Sequence, residues 1–196
     1  MGLAKIPLNN YTIRMVKNKR RPSRKESMLQ AAVGLVASKG IDALTIEALA
    51  NAIEATKGGV QYHFPSKHQL FIETLEYLLV GFDIAVSERA AKANGAGRWL
   101  TAYVELTAGR ITPEDRVAGA MLAILTSEDP RAEPYRRHTT RWRTLAAADG
   151  IDPATALVVR LAADSIWTER VFGGASAKES KMVRERLLSL IDEATQ

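Results

Sequence analysis

Two threonines, Thr45 and Thr56, each stand just before a short run that can be helical, and that pairing leaves few folds open. A threonine in front of a helix accepts a hydrogen bond from a free amide of its first turn. After Thr45, the residues Ile46, Leu49, Ala50 and Ile53 recur at helical spacing, so this first helix has one apolar face. After Thr56 come Lys57, Gly58, Gly59, Val60, Gln61, Tyr62, His63 and Phe64, and Pro65 ends the run. Val60 and Phe64 are read as core anchors, and the rest as a basic, polar outer face. The pattern predicts a short helix, a tight turn and a second short helix able to lay its end in a DNA groove.

The residue types suit that task. Phosphate neutralisation supplies much of DNA affinity, and base-edge contacts supply sequence choice. The helix starts at Thr45 and Thr56 offer backbone amides to a phosphate oxygen. Lys57 reaches a phosphate or guanine O6/N7, Gln61 matches adenine N6/N7, and Tyr62 fits a thymine methyl or a phosphate. Gly58 and Gly59 each cost up to about 1 kcal/mol in a helix relative to alanine. Their bareness makes sense if the backbone must approach a duplex. His63 and Lys67 are expected one helical turn apart, both addressing the sugar-phosphate backbone. A zinc site at His63 and His68 is excluded, because five residues do not share a helix face and no third ligand is near.

The runs T-I-E-A-L-A from Thr45 and T-K-G-G-V-Q-Y-H-F-P-S-K from Thr56 resemble the TetR-type (tetracycline-repressor-like) transcriptional regulators. The resemblance is specific over about residues 24–70. It implies DNA contacts at Thr45, Thr56, Lys57, Gly58, Tyr62, His63 and Lys67. It also implies that the chain after about residue 70 is a helical ligand-binding and dimerisation domain. This sequence departs from the family at Gln61, where tyrosine is common, and at Glu54, where the turn commonly has glycine. A non-glycine residue in a left-handed turn costs on the order of 1 kcal/mol.

Charge is unevenly placed. Residues 1–72 hold 11 Lys/Arg against 4 Asp/Glu, net +7, and the remainder holds 16 against 18, net −2. A basic third joined to a slightly acidic remainder points to one end meeting a polyanion. Seven basic residues and no acid lie between Arg14 and Lys25, and the arm over 1–22 that holds five of them, Arg20 and Arg21 included, either lies along DNA or is a plain leader. Cysteine is absent, so disulfides and thiolate metal sites are excluded. No apolar run approaches the roughly 18–20 residues of a membrane span, and no signal segment stands at the start, so a cytoplasmic protein without membrane contact is expected.

The whole chain reads as all-α, with a flexible arm over 1–22, a DNA-binding unit over 23–69 and a larger helical domain over 70–196. Ser23 with Glu26 and Ser176 with Glu179 match capping boxes. Further helices are predicted from Ser66 into the Ala-rich stretch before Asn94, and over 98–109, 113–127, 130–148 and 153–172. Leu157, Leu161 and Phe172 form an apolar stripe on one helix, and Val183, Leu187, Leu190 and Ile191 another. Two such helices could pair with their copies in a four-helix bundle or pack within the chain. Trp99, Tyr103, Met121, Trp142 and Trp167 are candidates for lining an apolar effector pocket as well as for plain core. Asp164 is a candidate buried polar contact.

Three functions are compatible with these features to different degrees. A homodimeric repressor on a palindromic operator, released by a small molecule, accounts for the helix pair, the charge asymmetry and the resemblance. An enzyme is not expected, since no metal-ligand cluster, phosphate loop or nucleophile-base order stands out, and no cofactor is implied. A basic helical adaptor for acidic partners or anionic membranes would explain the arm but not the paired capped helices.

Overall fold

The computed structural model describes residues 22–196, and every regular element among them is helical. The basic arm, including Arg20 and Arg21, lies outside the described residues apart from Pro22. No helix among the described residues is long and apolar enough to cross a membrane.

Helix α1 (Arg24–Lys39) begins at Ser23, whose hydroxyl accepts from the Glu26 amide at 3.1 Å. Only this half of the expected capping box is made among the described residues. The helix ends at Gly40, where φ is 81°. Helices α2 (Ile46–Ala52) and α3 (Lys57–His63) follow across a tight turn. Helix α4 (Lys67–Ala90) starts at Ser66 and runs for 24 residues into the rest of the chain. The three short helices close on Met28, Val33, Leu49, Val60 and Phe64, all buried.

The larger region places α5 (Arg98–Thr107) at its centre, packed against α4, α7 (Glu133–Ala147), α8 (Pro153–Val171) and α9 (Ala177–Glu193). Helix α6 (Pro113–Leu122) packs on α1, and together with α4 it seats the first three helices on the larger region. Reciprocal capping boxes form at Thr112 with Asp115 and at Ser176 with Glu179. The start of α5 is capped from a distance: Asp149 accepts from the Trp99 and Leu100 amides at 3.1 and 2.7 Å.

Two helix boundaries differ from expectation. Helix α6 stops at Leu122 rather than near 127. The Ser127 and Asp129 carbonyls instead accept from the Arg136 guanidinium at 3.0 and 3.2 Å, which replaces a helical ladder by a side-chain clamp. The helix expected over 130–148 opens as a 3-10 turn, Pro130–Ala132, and becomes α-helical only from Glu133. Pro134 then sits in the first turn, where its missing N–H costs nothing. The apolar stripe of α9 is also divided. Leu187 and Ile191 are buried in the chain's own core, with Val183 and Leu190 packed against it.

Candidate nucleic-acid interface and ligand cavity

Helix α3 is anchored on one side and open on the other. Val60 and Phe64 are fully buried, while Lys57, Gly58, Gln61 and Tyr62 are exposed, Tyr62 to 85%. Gly59 and His63 lie half-buried at the margin. The Thr56 hydroxyl accepts from the Gly59 amide at 3.1 Å, and the Thr45 hydroxyl from the Ala48 amide at 3.0 Å. Each threonine therefore fixes the start of its own helix, and Thr45 belongs to α2 rather than to the reading face.

The glycine pair divides under geometry. A Cβ added at Gly58 would meet nothing within 4 Å among the described residues, so none of them demands glycine there. A Cβ at Gly59 would stand 3.2 Å from the capping oxygen of Thr56. In the turn before α3, Glu54 is left-handed with φ of 53°, the conformation expected for this departure from glycine.

His63 and Lys67 do not share a helix as expected. His63 ends α3 and Lys67 begins α4, with Phe64, Pro65 and Ser66 turning the chain between them. Proline at 65 disfavours helical backbone at Phe64 and so forces the break. A residue that the sequence groups with the basic arm also joins this surface. Exposed Arg24, in the first turn of α1, brings its guanidinium to 4.0 Å from the Cβ position of Gly59. Its neighbour Lys25 instead turns inward, pairing with Glu73 and lying 5.5 Å from the centre of the Phe64 ring.

A cavity of about 550 Å³ opens among α4, α5, α6, α7 and α8. Of the five residues proposed for such a pocket, Tyr103, Trp142 and Trp167 line it. Trp99 does not, and stacks on Tyr103 with ring centres 5.0 Å apart. Met121 is fully buried in the core and is not in the wall. Phe82, Glu105, Glu114, Asp115 and Asp164 are also in the wall, and of these only Asp164 is a polar candidate in the sequence.

Polar groups in and behind the wall are tightly engaged. The Tyr103 hydroxyl donates to Asp164, whose other oxygen receives Arg160 Nη1 at 2.6 Å. Arg160 is only 1% exposed, and its Nε has no hydrogen-bond partner among the described residues. Burial raises the Asp164 carboxyl above the ordinary range, and burial followed by the Asp164 charge raises the Tyr103 phenol well above its own. Asp115 accepts from the Trp167 indole at 2.9 Å and from the Thr112 amide at 2.7 Å. Behind Trp142, the indole donates to Asp83. His138 Nδ1 lies 3.0 Å from Asp83 and Nε2 lies 3.3 Å from Glu76, the first at ion-pair distance without hydrogen-bond alignment. These two carboxylates, Asp83 first, hold the imidazolium of His138 above the ordinary histidine value.

Comparison with known proteins matches two stretches of the chain. The family described as "Bacterial regulatory proteins, tetR family" matches residues 28–74, and the family described as "Tetracyclin repressor-like, C-terminal domain" matches residues 97–192. A transcriptional regulator from Rhodococcus sp. Rha1 superposes with a TM-score of 0.73 at 19% identity, covering 87% of this chain and 97% of that one. The multidrug binding protein EbrR, complexed with malachite green, gives a TM-score of 0.67 at 25% identity over 87% of this chain and 99% of its own. A nucleoid occlusion factor SlmA from Marinobacter nauticus is 39% identical over 57 residues, a match spanning 29% of this chain and 29% of that relative. With a helix-turn-helix matching the first family and a helical remainder matching the second, the chain belongs to the TetR family of transcriptional regulators.

Proposed function

We propose that this regulator is a repressor that binds a palindromic operator as a homodimer and leaves it when a small molecule fills the cavity. One observation carries the DNA half of this reading: α3 is pinned by Val60 and Phe64 and turns Lys57, Gln61 and Tyr62 to solvent. Exposed Leu157, Val158, Leu161 and Phe172 on and just after α8 support a dimer, since the described residues leave this apolar face uncovered. The cavity, and the likeness to a multidrug binding protein solved with bound dyes, support an effector. Effector binding would favour a conformation in which the two α3 helices no longer match one helical turn of DNA, about 34 Å.

The test is an anisotropy titration of purified protein against the promoter region of its own gene. Sequence-preferring binding at low salt is expected, and its absence ends this reading. Lys67→Ala should weaken binding to all sequences and lower the salt slope by about one. Gln61→Ala should relax preference at one base pair, and an equal loss on every sequence would remove Gln61 from base reading.

A further inference from the structure

Helices α4 and α7 meet through a row of charged groups behind the cavity wall. Glu76 and Asp83 on α4 face Arg137, His138, Arg141 and Trp142 on α7. The two arginines are the outer members, with 55% and 59% of their side chains exposed, so water screens their opposition to a third cation. His138 is the inner member, 5% exposed, with Nδ1 toward Asp83 and Nε2 toward Glu76. Asp83 also accepts the indole of Trp142, which stands one turn further along α7 and lines the cavity. The imidazole and indole ring centres are 5.9 Å apart.

Only the imidazolium can serve both carboxylates. It carries a proton on each ring nitrogen, whereas neutral imidazole carries one and turns a bare lone pair toward the other carboxylate. Nδ1 is sealed from solvent and has no aligned hydrogen-bond partner among the described residues. Its hold on Asp83 is therefore a charge attraction, which lasts only while the ring is protonated. Without the proton, two acceptors face each other where water cannot intervene, and relief comes from drawing α7 away. Trp142 rides on the same helix and shares Asp83, so it moves too. Other elements packed on α7 keep their charges on partners of their own. The 3-10 turn closes Arg131 on Asp129, and α5 and α8 close Tyr103 and Arg160 on Asp164. The charges that act on the imidazole are those of Asp83 and Glu76.

We propose that His138 is a proton-operated clasp: as imidazolium it draws α7 onto α4 and fixes Trp142 in the cavity wall, and as neutral imidazole it lets both loosen. The clasp is built from the chain's own groups and requires neither effector nor operator.

DNA-free full-length protein is followed from about pH 6 to about pH 8.5, which brackets a histidine raised by neighbouring carboxylates. NMR of the imidazole ring carbons reads the protonation of His138, assigned by removing the other two histidines, His63 and His68, in turn. Hydrogen exchange of residues 133–147, corrected for its intrinsic pH dependence and referred to 177–193 in α9, reads how firmly α7 is held. His138 should titrate above about 6.5. Protection of α7 should fall at least about threefold through the same midpoint. His138→Gln should show no such fall. Glu76→Gln keeps the imidazole and removes one carboxylate, so the His138 titration and the loosening of α7 should move down in pH together. This second variant decides the matter if His138→Gln does not fold. Flat protection of α7 in the wild type, an equal fall in His138→Gln, or a His138 that titrates at or below the ordinary value overturns the proposal. So does an α7 midpoint that stays in place while the Glu76→Gln imidazole titrates lower.

Discussion

The first three helices and the region after them are stabilised by different kinds of interior. Around α1–α3 the buried side chains are apolar throughout, from Met28 and Val33 to Val60 and Phe64. Every buried polar or charged side chain among the described residues (Thr74, Thr107, His138, Arg160, Ser180) lies further along the chain. An apolar core has one good packing, which suits a platform that must present the same face each time. A region with buried polar groups has bonds that can be remade, and a ligand can compete for them. That contrast matches a rigid reading head joined to a responsive sensor.

The largest expected effects test that contrast directly. Phe64→Ala should cost about 3–5 kcal/mol by denaturant titration, the usual cost of emptying a buried aromatic site. Arg160→Ala should cost a comparable 3–5 kcal/mol or so at neutral pH, because Asp164 loses its cation. The Arg160 loss should shrink as pH falls and Asp164 takes up a proton, while the Phe64 loss should not. Equal pH dependence of the two would erase the distinction between the interiors.

A smaller effect separates stability from binding in the platform. Gly58→Ala should stabilise the fold by about 1 kcal/mol, since the added methyl meets only open space. Operator affinity should fall in the same variant. If affinity is unchanged, close approach of the duplex is not why glycine stands there. Glu54→Gly should raise the midpoint of thermal unfolding slightly, by relieving a left-handed strain of order 1 kcal/mol less the added freedom of the unfolded chain.

The smallest effect belongs to His138. Its pKa is raised on folding, chiefly by Asp83, so its stabilisation is complete below the unfolded value of about 6.5. It is lost as pH rises through the higher folded value. The stability difference between the wild type and His138→Gln should therefore narrow as pH climbs from about 6.5. A difference that stays flat or grows over that range would show that the charged imidazole contributes nothing.

What the sequence made legible follows the range of the interactions. Caps and apolar spacing act within one helix turn, so the cap at Thr56 and the anchors Val60 and Phe64 could be read directly, whereas the left-handed turn at Glu54 was expected only through the family resemblance. The cavity was half legible. Aromatic composition pointed to Tyr103, Trp142 and Trp167, but periodicity does not distinguish a residue facing space from one facing a neighbour, as Trp99 and Met121 show. Asp149 follows the helix predicted over 130–148, yet its carboxylate caps α5, some 50 residues earlier in the chain. Likewise the clamp of Arg136 on the Ser127 carbonyl shortened α6 without any local signal. Contacts between distant segments leave little trace in spacing.

Helix α3 is only 7 residues long, two turns, well below the length at which an isolated helix persists in water. Its shape is borrowed from the residues beneath it. Anything that loosens the seat under Val60 and Phe64 would therefore blur sequence discrimination before the chain as a whole unfolds, and promoter choice should decay with temperature ahead of the bulk melting curve.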